Sequence, residues 1–307
     1  MRKYTRREAT KVIGGLTIGS LLLPTFGFTD MNSIRKRKIG SSNESLPIVG
    51  LGTWQSFDVG NNKTKREQLT SVLENMKEYG GSVIDSSPMY GSSESVVGDL
   101  VQQMNSRDQF FFATKVWTSG KQNGIDQMTN SMRLMKTNTL DLIQIHNLID
   151  WRTHMHTLKK WKDEQKIRYW GITHYVDSAH DKLIQIIKAE KPDFVQFNYA
   201  INNLNAEKKL LHTAQENNVS VIINRPYGGG SLFRLTKGKN LPDWCNDYDI
   251  KSWGQFFLKY ILASKAVTCV IPGTSKPHHL IDNMKAGFGR LPDDATRKKM
   301  IAYLKTL

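Results

Sequence analysis

The amino-acid sequence predicts an α/β protein folded as a (β/α)8 barrel, with an N-terminal β-hairpin and an extra C-terminal helix. Three observations lead there. Eight short runs, nearly continuous in apolar residues and rich in Val, Ile, Phe and Trp, recur between residues 46 and 272. Strands buried on both faces of a parallel sheet read this way. Helical periodicities such as "REQLTSVLENMKEYG" and "AEKKLLHTAQENN" lie between them and close on the Gly or Asn that commonly ends a helix. The length of 307 residues holds such a barrel, commonly about 250 residues, as one domain.

Residues 1–30 stand apart from this pattern. Arg2, Lys3, Arg6, Arg7 and Lys11 precede a moderately apolar run from Val12 to Phe28, the layout of a secretory signal. "TRREATK" resembles a twin-arginine signal, with Arg6-Arg7 as the export address and Ala9 and Thr10 where bulky residues are usual. The resemblance implies recognition by the twin-arginine export machinery and a destination in the periplasm or on the outer face of the cytoplasmic membrane. The membrane is then met only through this segment. Such export carries proteins already folded, which suits a tightly bound cofactor.

The barrel domain is expected over residues 34–307. The ends of the basic segment "SIRKRKIGSSNES" can pair as a hairpin across the barrel bottom. The strand runs follow as 46–54, 81–87, 110–117, 140–147, 167–173, 194–199, 219–226 and 267–272. A turn-rich insertion, "GGGSLFRLTKGKNLPDWCNDYD", succeeds the seventh run, and "DDATRKKMIAYLKTL" reads as a terminal helix. A doubly wound open sheet is the alternative. It would want a G-x-G-x-x-G turn to bind a dinucleotide, and "GLGTWQ" at 50–55 lacks the last glycine.

The net charge of +15 raises nucleic-acid binding, but no helix-turn-helix, zinc-finger or RNP-type pattern accompanies it, so none is expected. The two cysteines, Cys245 and Cys269, make neither a disulfide framework nor a CxxC metal site. Cys269, in "AVTCVIP", reads as a buried small hydrophobe. No bound metal is expected.

Chemistry in a parallel barrel gathers where the strands' C-terminal ends open into loops. Asp85 closes the second run, Lys115 lies near the end of the third, and His146 closes the fourth. They are one β/α unit apart, so they come from adjacent staves of one rim. Tyr90 stands in the loop above Asp85. A free phenol, with a pKa near ~10, is a poor acid at neutral pH, and a neighbouring ammonium lowers that value. Lys115 can be that ammonium, Asp85 can hold it, and His146 can polarise a carbonyl by hydrogen bonding. The set protonates an oxyanion while something else, such as a nicotinamide hydride, attacks the carbon.

"IDSSPMYGSSE", "ATKVW" and "IQIHN", in this order and spacing, resemble the aldo/keto reductase superfamily over residues 34–307. The resemblance places the family's tetrad on Asp85, Tyr90, Lys115 and His146, with Tyr90 as general acid. It implies NADP(H) bound extended on the C-terminal face. The carboxamide would meet Thr173 and His174, where Ser and Asn are usual, and Gln196. Asn224 replaces the aromatic residue that often stacks on the ring, and the next residue, Arg225, can cover the ring or meet an acid of the substrate. Gly230, Ser231, Leu232 and Arg234 belong to a loop suited to the pyrophosphate. Gly273, Thr274, Ser275, Lys276 and His279 would meet the adenosine phosphate, with Asn283 near the adenine. His279 stands where arginine is common.

Trp54, Trp117 and Trp151, at strand ends, would wall an apolar pocket for a small aldehyde or ketone. A monomer with an open site is expected. Two other readings stand beside the reductase. One is a nucleotide-binding, redox-sensing or regulatory barrel with little turnover, favoured by the departures at His174 and Asn224. The other is a barrel hydrolase for anionic substrates, raised by the charge alone.

Overall fold

The computed structural model describes residues 33–307. The expected export segment, residues 1–30, lies outside the described residues. Lys36–Lys38 (β1) and Ser45–Pro47 (β2) pair antiparallel, so the basic segment is a hairpin. Its two arginines are occupied by backbone, while Lys36 and Lys38 are exposed. Arg35 donates to the Gly289 carbonyl at 2.7 Å, and Arg37 donates to the carbonyls of Leu262, Ser264 and Val267. This part of the charge caps chain ends rather than awaiting a polyanion.

Eight parallel strands follow. They are β3 (Leu51–Gly52), β4 (Val83–Asp85), β5 (Phe111–Val116), β6 (Leu140–His146), β7 (Ile167–Thr173), β8 (Phe194–Asn198), β9 (Ser220–Asn224) and β10 (Cys269–Val270). Each neighbours the next in sequence order. The ring closes because parallel bridges join Val49 to Val270 and Gly52 to Gly273. An open doubly wound sheet would leave β3 and β10 as edges, so that alternative falls. Gly52 permits the closure: a Cβ there would lie 2.8 Å from the Ile271 carbonyl oxygen, closer than such atoms approach.

Each apolar run holds one strand, with two departures. "LPIVGLGTW" is divided, because Leu46 and Pro47 pair with the hairpin and only Leu51–Gly52 enters the barrel. The helix expected over "AEKKLLHTAQENN" breaks at Lys209 (φ −150°) into a 3-10 turn, Asn205–Lys208, and a helix, Leu210–Glu216. The outer ring is built from helices that include Lys63–Glu78, Ser93–Gln103, Lys121–Leu134, Trp151–Asp163, His180–Glu190, Trp253–Leu262 and Pro277–Lys285. The terminal helix is Asp294–Leu304, capped by Asp293, whose carboxylate accepts the Thr296 N–H.

Side chains alternate across a strand, so the inward set recurs every second residue. Ile39 and Leu46 of the hairpin pack with Val83, Phe111, Leu142, Phe194 and Cys269 in one buried cluster inside the barrel. Cys269 is fully buried, as its apolar surroundings predict. Two residues further along the same strands the inward side chains become Asp85, Gln144 and Gln196, and Lys115 follows Ala113 in the same way. An apolar plug therefore underlies a polar layer at the strands' C-terminal ends.

Candidate active site

Asp85, Lys115, Gln144 and Gln196 form a connected network in that layer. Lys115 Nζ donates to Asp85 Oδ2 and to the Ser86 carbonyl, each at 2.6 Å. Asp85 Oδ1 accepts from Gln144 Nε2 at 3.0 Å and Gln196 Nε2 at 2.9 Å. Asp85 and Lys115 are 2% and 1% exposed, so neither charge is stabilised by water and both depend on these contacts. β4 and β5 are in register with Asp85 opposite Ala113, which sets Lys115 one pleat higher and leaves its long side chain reaching back to the carboxylate.

Tyr90 stands over this pair. The Lys115 ammonium is 4.9 Å from its ring centroid, and the His146 ring meets it edge-on at 6.2 Å. Ser87 Oγ accepts the Met89 N–H at 3.2 Å and lies 3.2 Å from His146 Nδ1. A hydroxyl has one hydrogen to give, and here it can go to Nδ1. The imidazole proton is then on Nε2, as a donor to the cleft.

The electrostatics assign protonation states. Burial opposes the charge on Lys115, but the neighbouring Asp85 and Tyr90 outweigh it and hold the amine above its ordinary pKa, as an ammonium. Burial, then the Lys115 charge, pushes His146 down to about 3, so it is neutral. Tyr90 departs from expectation. Burial of the phenol outweighs the pull of Lys115 toward phenolate, and its pKa lies above the ordinary value. The phenol is thus kept protonated, the form in which it has a proton to give.

Above the tetrad opens a cleft of about 750 Å³ lined by Thr53, Trp54, Met89, Tyr90, Trp117, His146, Thr173, Gln196, Asn224, Arg225 and Gly273, among others. A model of the Aldo/keto reductase family matches residues 48–299. The chain belongs to the aldo/keto reductase family. It is 25% identical over 246 residues to methylglyoxal reductase YeaE of Escherichia coli K12, covering 78% of this chain and 84% of that protein. It is 26% identical over 315 residues to the uncharacterized oxidoreductase YqkF of Bacillus subtilis, covering 89% and 97%. A crystal structure of an aldo/keto reductase from Klebsiella pneumoniae, in complex with NADP and acetate, superposes with a TM-score of 0.74 at 24% identity, over 89% of this chain and 95% of that one.

In this aldo/keto reductase the other sequence-predicted positions fall into three groups. Thr173, Gln196, Arg225, Gly230 and Gly273 line the cleft, with Trp54 and Trp117 at its exposed rim. Thr274, Ser275, Lys276, His279 and Asn283 gather around the start of the helix Pro277–Lys285. There Thr274 Oγ1 accepts the Lys276 N–H at 3.1 Å, Lys276 and His279 are exposed, and Asn283 is buried and accepts the Tyr227 hydroxyl. Burial and the neighbouring His278 lower the His279 pKa, so that ring brings no charge at neutral pH. Ser231, Leu232 and Arg234 share the short helix Ser231–Leu235. Ser231 Oγ donates to the Gly228 carbonyl, Leu232 is fully buried, and Arg234 is exposed.

Trp151 and His174, expected at the nicotinamide and substrate end, do not line the cleft. Trp151 opens the helix Trp151–Asp163 and packs against the core with Arg152 over its ring at 4.6 Å. His174 stacks on the cleft residue Tyr175, with centroids 5.6 Å apart and Nδ1 accepting the Tyr175 N–H, and does not itself line the cleft.

Ser87, Gln144, Asn147 and Tyr175 were not singled out in the sequence. Gln144 was legible: it precedes His146 by two residues and so shares its inward face. Its Oε1 is buried without a partner among the described residues, which sets a cost against the bond its Nε2 makes to Asp85. Gln144→Met should therefore change stability by no more than about 1 kcal/mol while lowering kcat by about tenfold, checked by urea denaturation beside steady-state kinetics. With His146 neutral and Tyr90 protonated, kcat/KM for carbonyl reduction should be flat from about pH 5 to about pH 9 and fall only as the phenol ionises. A pH–rate profile tests this, and an inflection near pH 6.5 that His146→Gln removes would contradict it.

Proposed function

We propose that the protein is an NADPH-dependent reductase that converts a small aldehyde or ketone to an alcohol. The observation that carries this reading is the buried Lys115 ammonium, held between Asp85 and the protonated Tyr90 beneath an apolar-rimmed cleft. NADPH, when bound, supplies the hydride that reaches the carbonyl carbon. The chain's own residues act at the oxygen. Tyr90 Oη gives it a proton, Lys115 stabilises the phenolate left behind, and His146 Nε2 hydrogen-bonds it during the transfer. Asp85 keeps Lys115 charged and in place.

The residues present fit the cofactor. Gly228, Gly229 and Gly230 all have left-handed φ, at 57°, 64° and 88°, and a Cβ on Gly228 would lie 2.7 Å from Ser231 Oγ. Such a turn brings backbone N–H groups close to an anion. The Arg225 guanidinium lies beside it, since a Cβ on Gly229 would sit 3.7 Å from its Nη2. Arg225 and this turn would hold the pyrophosphate. Thr274 to Lys276, ahead of a helix N-terminus, would hold the 2′-phosphate. The exposed rings of Trp54 and Trp117 would receive the apolar side of the substrate.

A second reading, a nucleotide-binding barrel with little turnover, is favoured by one observation: Asn224 lines the cleft where the family resemblance expects a stacking ring. Purified full-length protein with NADPH and 4-nitrobenzaldehyde separates the two. The reductase should oxidise NADPH, and Tyr90→Phe should lower kcat by about 10²- to 10⁴-fold with little change in NADPH affinity. Quenching of NADPH fluorescence without turnover would favour the second reading, and neither signal would sink both.

The segment with Arg6-Arg7 supports export by the twin-arginine route, placing the enzyme in the periplasm or on the outer face of the cytoplasmic membrane. Replacing both arginines by lysine should leave the protein in the cytoplasmic fraction on cell fractionation. Unchanged export would remove that part of the proposal.

A further inference from the structure

Of the three residues implied to seat the nicotinamide carboxamide, Gln196 and His174 have no free acceptor for its N–H, and Thr173 keeps only its hydroxyl lone pairs. Gln196 gives Nε2 to Asp85, and its Oε1 receives Thr173 Oγ1 at 3.1 Å and Asn224 Nδ2 at 3.3 Å. An amide oxygen offers two lone pairs, so Gln196 has none left for a ligand. The Thr173 hydrogen is committed in the same contact, which removes it as a donor and leaves its oxygen turned to the Gln196 amide. His174 Nδ1 is taken by the Tyr175 N–H.

Asn224 is different. Its Nδ2 donates to the His174 carbonyl at 3.2 Å and to Gln196 Oε1, which fixes the orientation of the amide and ties it to both halves of the seat. Its Oδ1 is buried and has no partner among the described residues. A buried acceptor left unmatched costs about 1–3 kcal/mol, which a ligand N–H would recover. Both Nδ2 bonds are long, and the terminal torsion of asparagine is soft, so a small turn exposes Oδ1 to the cleft that Asn224 lines.

We propose that Asn224 Oδ1 accepts the carboxamide N–H of the nicotinamide, the contact that resemblance would give to Gln196. The assignment rests on the cofactor reading above. It gives the substitution of a stacking ring by asparagine a positive role: ring contact is exchanged for recognition of the primary amide. Gln196 becomes a positioning residue, joining the cofactor seat to Asp85 and hence to Lys115.

Asn147 also lines the cleft with an Oδ1 that has no partner among the described residues, but only its backbone N–H reaches Thr173, so it serves as the control. Calorimetric titration of the full-length protein would compare NADP+ with its 3-acetylpyridine analogue, which carries a methyl ketone in place of the amide. Wild type should favour NADP+ by up to about tenfold, the worth of one hydrogen bond. Asn224→Leu should bring the ratio to about one, while Asn224→Asp, which keeps an acceptor oxygen, should preserve it. Asn224→Ser, too short to reach, should behave as the leucine variant and replaces it if that variant does not fold. A ratio kept in Asn224→Leu, lost instead in Asn147→Leu, or absent in wild type would overturn the assignment. Wild type that binds neither dinucleotide would overturn the cofactor reading itself, and this assignment with it.

Discussion

The ion pair of Lys115 and Asp85 is the constraint to which the rest of the site is fitted. Two charges withdrawn from water are costly unless their remaining hydrogen-bonding capacity is met by protein. Here the Ser86 carbonyl takes a second ammonium hydrogen, and Gln144 and Gln196 cover the other carboxylate oxygen. These groups come from four strands, β4, β5, β6 and β8, so the pair is fully covered only when those strands are in register. The same pair governs Tyr90. Its cation lies against the phenol without ionising it, because burial weighs more.

The barrel supplies this arrangement through one gradient. Each inward-facing set begins in hydrocarbon, plugged from below by Ile39 and Leu46 of the hairpin, and ends in polar groups at the mouth. Burial against the plug orders the strands, and the order of the strands fixes the spacing of the polar ends. Stability and chemistry therefore occupy successive residues of the same strands, two positions apart.

The barrel and the convergence of Asp85, Lys115 and His146 on one rim were legible because both depend on period and spacing. Eight continuous apolar runs survive any local error of boundary, and Asp85, Lys115 and His146 are separated by whole β/α units. What escaped depends on direction rather than on type. Trp151 and Trp117 read alike as aromatic residues near strand ends, yet Trp151 is carried into the helix ring while Trp117 stays at the cleft rim. His174 follows its strand end as expected, but its ring is stacked on Tyr175 and is not part of the cleft lining. Lys115 pulls the Tyr90 pKa down as expected, but burial outweighs it and the net shift is upward, because residue types name the nearby charge and say nothing of the depth of burial.

The closure of the ring is uneven. Adjoining strands of the middle of the sheet share up to six paired positions, as β6 and β7 do, whereas the first and last strands are two residues long and meet through single bridges. A hoop with one thin weld yields there first. The weld ends at Gly52 and Gly273, both on the cleft wall, with Thr53 beside them. Gly52 is also the register partner of Asp85, and the Thr53 N–H bonds to the Asp85 carbonyl at 3.0 Å, so any loosening of the weld is felt first at the carboxylate that holds Lys115.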